Sequence, residues 1–308
     1  MRRAVLVVLL GTGIALAGTA YLPQGNGKNA VAAKPLPPIA VRKTQRVLTP
    51  GGETATYFDY KTMLKACLDN HTPTIQLPAD VVSKLGDNVI HIYIDGDKFA
   101  VDDRDMNFGY GSDPKICRFF PKPKHLVDIY DGRYIYYADL ITHTGTIQDT
   151  VTDTQEGIKR MEKELAPLGK RAVKQYVNNV LLRDTNAYVT NTPSDPIVKE
   201  HPIGYMVVAG QPCNVYPDTL WRGQQTPGRY MCIWAPKQHY RVTGLMRSEA
   251  INMPLILKGV RAGTAAQLHV VTNTTKFIIG AALPGNAFKP PAGIQWKDYH
   301  TGRPINPP

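Results

Sequence analysis

The sequence lacks the motifs that indicate most kinds of catalytic chemistry. It has no Gly-x-Ser-x-Gly elbow, no Gly-x-x-x-x-Gly-Lys phosphate loop and no Gly-x-Gly-x-x-Gly after a strand. No two of its histidines are three to five residues apart, and there is no Cys-x-x-Cys, so the local spacing of common metal sites is missing. We therefore predict no catalytic residue, no metal and no cofactor. An enzyme built from scattered residues stays an alternative.

Acidic residues are absent from the first 52 positions. That stretch carries seven bases, which are Arg2, Arg3, Lys28, Lys34, Arg42, Lys43 and Arg46. The net charge of the chain is +11, so only +4 belongs to the other 256 residues. Nucleic-acid binding requires a concentrated positive field. Residues 53–308 do not supply one, because their positive and negative charges nearly cancel. We predict no nucleic-acid partner.

Long hydrophobic runs are confined to the N-terminus. Met1-Arg2-Arg3 precedes an aliphatic run, and small residues follow at positions 18–20. This pattern predicts a signal peptide over residues 1–20, cleaved after Ala20 or alternatively after Ala17. An uncleaved anchor is the other interpretation, although the apolar run is short for a membrane span. The expected location is periplasmic or secreted.

The segment after the predicted signal peptide is rich in proline and contains few large apolar residues. We predict that residues 21–50 are a disordered, basic, Pro-rich linker, because they offer little surface to bury. Peripheral contact with an acidic membrane is one role for such an arm. Residues 51–296 are expected to form a single α+β domain, and residues 297–308 a flexible tail.

Cysteine is rare, with four residues in 308. Export predicts disulfides, and three connectivities are open to Cys67, Cys117, Cys213 and Cys232. Sequence separation favours Cys213 with Cys232, across a hairpin-sized excursion, which leaves Cys67 with Cys117.

Strand patterns dominate the body of the chain. Val89 to Ile94 and Lys98 to Val101 flank Asp95-Gly96, and a second pair of β-prone runs flanks Asp131-Gly132. Both patterns predict hairpins in an antiparallel meander. Further predicted strands are Gly204 to Ala209, Arg229 to Trp234, His239 to Leu245, Pro254 to Lys258 and Ala265 to Val271.

Helical periodicity is clearest after Thr152 and Gln155, a candidate capping pair. Apolar residues recur there at spacings of three or four, namely Ile158, Met161, Leu165, Leu168 and Ala172. We expect this stripe to lie against a sheet face, with a kink at Pro167. A shorter helix is predicted from Tyr60 to Leu68. The predicted fold is α+β, a twisted, curved, half-barrel-like antiparallel sheet with one or two packed helices.

Three aspartates near the first hairpin, Asp102, Asp103 and Asp105, have two interpretations. A solvated turn is favoured over a Ca²⁺ site, because the spacing does not fit the Asp-x-Asp-x-Asp-Gly loop. Tyrosines stand out in the second hairpin, where Tyr134 and Tyr136 share one strand face.

The C-terminal third resembles the LolA/LolB-like periplasmic lipoprotein-carrier families. The resemblance rests on Gly210 and Cys213 leading into a hairpin, on Cys232-Ile233-Trp234, and on the closing Phe288-Lys289-Pro290-Pro291-Ala292-Gly293. It implies an open, curved antiparallel sheet that holds helices on its concave side around a hydrophobic cavity.

From these features we expect an exported envelope protein that binds a lipid, an acyl chain or another apolar ligand between sheet and helix. The predicted lining residues are Ile92, Ile94, Phe99, Tyr134, Tyr136 and Trp234. Two alternatives are a secreted hydrolase of an envelope polymer and an interaction subunit of an envelope or secretion assembly. The predicted partner is accordingly an apolar ligand or an envelope protein.

Overall fold

The structure is a computed structural model of the whole chain. It describes residues 34–35, 37–96, 98–111, 113, 115–170, 187–188, 202–218, 228–235, 240–242, 255–263 and 267–308. The predicted signal peptide, residues 1–20, lies outside the described residues, as do residues 21–33 of the predicted linker.

Sixteen strands and three helices are found in the described residues. The strands are β1 (Lys34–Pro35), β2 (Ile39–Leu48), β3 (Thr74–Ile75), β4 (Asn88–Asp95), β5 (Lys98–Tyr110), β6 (Cys117–Tyr130), β7 (Tyr134–Asp139), β8 (Thr144–Asp149), β9 (Ala187–Tyr188), β10 (Gly204–Val208), β11 (Gln211–Pro217), β12 (Tyr230–Trp234), β13 (Tyr240–Val242), β14 (Ile256–Ala262), β15 (His269–Ile279) and β16 (Gln295–Asp298). The helices are α1 (Ala55–Asp69), α2 (Ala79–Val82) and α3 (Thr150–Leu165), and a 3₁₀ turn over Ala166–Leu168 follows α3.

One large, open, curved sheet organises the fold. Its strands run in the order β10-β11-β12-β14-β15-β2-β4-β5-β6-β7-β8-β16, and β3 pairs with β6 off this path. Two pairs of this sheet, β16 with β8 and β3 with β6, are parallel, whereas its other pairs are antiparallel. The α+β class is therefore confirmed, but the sheet is mixed rather than purely antiparallel. A separate small sheet has the order β1-β13-β9.

The predicted linker contributes a central strand, so the expectation of disorder over residues 21–50 is wrong for residues 39–48. β2 lies between β15 and β4 and pairs with both along most of its length. Ile39 and Val41 are buried in the core, and so is Lys43. The strand is difficult to predict from the sequence because prolines precede it and bases interrupt it. It is ordered by hydrogen bonds and apolar contacts with β15 and β4, which are distant along the chain.

The predicted tail is also ordered, which corrects the second boundary. β16 pairs in parallel with β8 and buries Trp296 against the sheet. The chain then turns at Asp298, whose Oδ1 accepts a hydrogen bond from Thr301 N at 2.7 Å. It returns so that Ile305 N donates to Trp296 O at 3.1 Å. A buried tryptophan and a closed turn thus order residues 297–308.

Both hairpins are confirmed. β4 and β5 pair with Asp95 opposite Lys98, and Gly96 takes the positive φ of 61° that favours glycine. β6 and β7 pair with Tyr130 opposite Ile135, around a turn that contains Gly132. The other predicted strands correspond to β10, β12, β13, β14 and β15 with shifted ends.

The two disulfides are those that sequence separation favours. Cys67–Cys117 joins α1 to the start of β6, with a Cα–Cα distance of 6.2 Å. Cys213–Cys232 joins β11 to β12, with a Cα–Cα distance of 5.4 Å. The first bridge spans 50 residues of sequence, whereas the second links two consecutive strands whose cysteines are 19 residues apart.

The helices differ from their predicted bounds at the start. α1 begins at Ala55, and α3 is capped by Asp149, which accepts from Val151 N and Thr152 N, rather than by Thr152. The 3₁₀ turn that ends α3 contains Pro167, as a helix-breaking proline predicts. Ile158 is half-buried, whereas the other side chains of the predicted apolar stripe lie outside what the structure describes.

Within the described part of the chain, we find no helix with the length and hydrophobicity required to cross a membrane.

Apolar side chains on the two faces of the sheet form separate clusters. The largest involves β2, β4, β5, β10, β11, β12, β14 and β15, with Ile39, Ile92, Trp234 and Phe277 among its members. A second cluster packs Trp296 against Tyr136 and Ile147. The third lies beneath α1, where Tyr60 meets Phe119.

Candidate functional site

A groove with a volume of about 620 Å³ lies between α1 and the segment that contains α2. Its walls combine apolar and aromatic side chains with a charged rim. The lining residues are Arg46, Glu53, Thr54, Tyr57, Tyr60, Lys61, Leu64, Gln76, Leu77, Ala79, Val82, Ser83, Leu85 and Asp87.

Tyr60 forms the rigid floor of the groove. Its ring meets Phe119 and Phe108 edge to face, with centroids 5.2 and 5.6 Å away. Its hydroxyl oxygen accepts a hydrogen bond from Leu77 N at 3.3 Å. Because the ring is held on both sides, the floor is preformed rather than shaped by a ligand.

The opening turn of α1 is held against the segment before β4. Thr54 caps the helix by accepting from Tyr57 N, and its hydroxyl donates to Leu85 O at 2.6 Å. Gly86 has a φ of +75°, and a Cβ there would approach Thr54 Cβ to 2.9 Å. Only glycine allows this close approach, which fixes the distance between α1 and the opposite wall.

Two ion pairs lie at the rim of the groove. Arg46 Nε is 2.7 Å from Asp87 Oδ1, and Lys61 Nζ is 2.6 Å from Glu53 Oε1. Lys61 Nζ also lies over the ring of Tyr57, 5.1 Å from its centroid. All four charged side chains are partly exposed, so each pair contributes little stability and can exchange partners.

A second polar arrangement lies on one face of the central strands. Asp102 in β5 accepts two hydrogen bonds from Arg104, at 2.9 and 2.8 Å. Its Oδ1 is also 3.1 Å from His125 Nε2 on β6. His91 of β4 is the register partner of Asp102. The strand alternation therefore brings two imidazoles and a guanidinium to one carboxylate.

The electrostatics of this cluster favour an ionised carboxylate. Burial acts to raise the pKa of Asp102, but the hydrogen bonds and charge of Arg104, together with His125 and His91, hold it below its usual value. Burial lowers the pKa of His91, against the opposing charge of Asp102. A histidine beside an ionised aspartate is an arrangement suited to proton transfer.

The opposite face of β5 carries the other two aspartates, so their interpretation as a solvated turn is wrong. Asp103 binds Lys124 at 3.1 Å, and Asp105 accepts from Asn107 at 2.7 Å. Burial and the charge of Asp103 raise the pKa of Asp128, on the neighbouring strand, to about 6. Among the described residues, no group of three or more His, Cys, Asp or Glu side chains is placed to hold a metal ion.

The residues predicted to line a cavity are divided between two clusters. Ile92, Ile94, Phe99 and Trp234 belong to the largest core cluster, whereas Tyr134 and Tyr136 belong to the cluster around Trp296. Phe99 packs on Tyr130, and Trp234 packs on Phe277. The structure thus brings four of the six together, and none of the six is among the residues that line the groove.

The groove does not follow from the predicted first helix, Tyr60 to Leu68, because α1 begins five residues earlier, at Ala55. Tyr57, Tyr60 and Leu64 recur at spacings of three and four, which is the signal of a helix face. A start at Tyr60 removes the first of these positions. The other wall, which includes Leu77 and Leu85, has no periodic signal, because α2 has only four residues.

Comparison with known proteins found no family model and no curated protein that matches this sequence.

Proposed function

We propose that this protein is an exported envelope protein that binds a lipid, an acyl chain or another apolar ligand in the groove between α1 and α2. The observation that carries the proposal is a preformed groove of about 620 Å³ with an aromatic floor and a charged rim. This volume suits a small molecule or a single acyl chain. The proposal keeps the predicted ligand class but moves the ligand from the predicted lining residues to Tyr57, Tyr60, Leu64 and Leu85.

Affinity would come from apolar burial, with no covalent step. Transfer of apolar surface from water contributes roughly 25 cal/mol per Å², before the ligand's ordering cost is subtracted. Arg46 and Lys61 supply cations at the groove mouth, where each is now paired with a carboxylate. An anionic head group can take the place of Asp87 or Glu53, since exposed ion pairs of this kind are weak.

Support for export comes from the disulfides and from the pattern of the first 20 residues. All four cysteines are paired, and such bridges persist in an oxidising compartment. The resemblance to the lipoprotein-carrier families implies a half-barrel-like sheet that binds its ligand beside packed helices. An open, curved sheet with α1 against it is compatible with that architecture.

The test is ligand binding by a variant whose groove is filled. Leu64→Trp should occupy the groove, whereas Ala66→Trp adds the same ring at an exposed position of the same helix. Native mass spectrometry and organic extraction should find an apolar molecule bound to the exported protein. A fluorescent fatty-acid probe should bind to the native protein and to Ala66→Trp, but not to Leu64→Trp. Equal probe binding by both variants, or none by the native protein, would contradict the proposal.

A second candidate function, a secreted hydrolase of an envelope polymer, is favoured by one contact. His125 Nε2 lies 3.1 Å from Asp102 Oδ1, within reach for a general base and the carboxylate that orients it. Release of soluble fragments from purified cell-wall polymer would support this function. The activity should then disappear in His125→Gln, whose amide preserves size, and it should survive in His143→Gln, whose side chain is exposed.

A further inference from the structure

The two ends of the described sheet differ in how they are protected. At one end, β16 is four residues long, contains Lys297 and Asp298, and is followed by a chain that returns to pair Pro304 with Lys297. At the other end, β10 pairs with β11 and with no further strand of the described sheet. Charges and a covering segment are the usual means of blocking a sheet edge, and β10 has neither in the described structure.

Three apolar side chains at alternate positions of this edge lie on the same exposed face of the sheet. Ile203, Tyr205 and Val207 are 67%, 78% and 72% exposed, the highest values among the large hydrophobic residues described. Met206 and Val208, at the intervening positions, pack on the largest core cluster. The edge strand therefore has a firmly anchored inner face and an uncovered apolar outer face.

Charge is absent from the whole hairpin that presents this edge. Residues 202–214 contain no Lys, Arg, Asp, Glu or His. An approaching copy of the same strand would meet no like charge, so self-association has no electrostatic cost at this point. The hairpin is also tied to the fold by Cys213–Cys232, which limits the ordering cost of docking.

The order of the side chains is self-complementary. If two β10 strands pair antiparallel about a two-fold axis at Met206, Tyr205 of each copy lies opposite Val207 of the other. Aromatic residues opposite β-branched residues are among the favourable cross-strand pairs. We propose that β10 is a homodimerisation edge, through which a second copy of this chain continues the sheet by antiparallel pairing of Gly204–Val208. The inference does not depend on the groove or its ligand.

Sedimentation velocity of the exported, disulfide-bonded protein over a range of concentrations tests the inference. The native protein should show a reversible dimer. Val207→Glu should weaken dimerisation by about tenfold or more, because it replaces the apolar partner of the Tyr205 ring with a carboxylate, which the negative face of an aromatic ring disfavours. Tyr299→Glu is the matched control, since Tyr299 is an exposed aromatic residue near the opposite edge and its replacement should leave the dimer unchanged.

The register is tested by mixing two variants. Tyr205→Lys and Val207→Glu should each be mainly monomeric, whereas an equimolar mixture should form heterodimers with one Lys–Glu pair and one native Tyr–Val pair. A protein that stays monomeric at all concentrations overturns the inference. A dimer that survives Val207→Glu overturns it too, as does a mixture that gains no heterodimer. The fluorescent-probe measurement on the groove is read separately, so failure of either proposal is distinguishable from failure of the other.

Discussion

Lys43 donates a hydrogen bond from Nζ to the carbonyl oxygen of Ile256, 3.2 Å away on a segment 213 residues later in the chain. The lysine side chain is buried, and the charge of Arg261 lies nearby. Burial first, and then the charge of Arg261, lowers the pKa of Lys43 to about 8. A lysine from the predicted flexible arm is thus an interior residue whose charge opposes folding.

The pH dependence of stability should reveal this lysine. Between pH 8 and 10.5 the unfolded chain binds a proton at Lys43 that the folded protein does not, so the free energy of unfolding should rise with pH across that range. The full effect is about 3 kcal/mol, from a pKa difference of roughly 2.5. Urea titrations at pH 7.5 and 9.5 measure the part of this rise that falls below pH 9.5. In Lys43→Met the rise should shrink, while Lys276→Met, at an exposed position on β15, should keep it.

Asp128 should produce the opposite trend at lower pH. Its pKa is raised to about 6, so the folded protein holds a proton that the unfolded chain has released above pH 4. Stability should therefore fall as pH rises from about 4 to about 6. Asp128→Asn should remove part of this fall and be more stable than the native protein at pH 7. A steeper fall in the variant, measured by thermal unfolding at several pH values, would show that the assignment is wrong.

Replacement of β2 side chains should show that residues 39–48 belong to the core. Ile39 is 0% exposed, whereas Ile278 on the adjacent β15 is 38% exposed. Ile39→Ala should cost about 2–5 kcal/mol of unfolding free energy, because it removes buried methyl groups and leaves a cavity. Ile278→Ala should cost about 1 kcal/mol or less. Similar costs for the two variants would mean that β2 does not carry the core.

The two disulfides should contribute unequally to stability. In the chain-entropy model, Cys67–Cys117, with a separation of 50 residues, stabilises by about 4 kcal/mol. Cys213–Cys232, with a separation of 19, stabilises by about 3 kcal/mol. Denaturant unfolding of the two paired Cys→Ala variants measures the difference. Non-reducing peptide mapping should find these two linkages, and any crossed linkage would contradict the pairing.

Local signals in the sequence were sufficient for the hairpins, for one disulfide and for the helix that ends near Pro167, and Cys67–Cys117 followed as the remaining pair. Asp95-Gly96 and Asp131-Gly132 specify tight turns through their own backbone preferences, whatever surrounds them. Cysteine spacing is similarly local for Cys213–Cys232. These features depend on interactions between residues that are close along the chain.

The central strand β2, the Asp102–His125 contact and the groove were decided by the tertiary structure, because each depends on residues that are far apart along the chain. β2 becomes a strand through β15, more than 220 residues later, and Asp102 meets His125 only because β5 and β6 pair in one register. The groove needs α1 to be held against Leu85 by Thr54, a contact with no periodic signature. Strand pairing and packing across such separations set which polar residues are buried and which apolar ones are exposed, and therefore where a ligand or a second copy can bind.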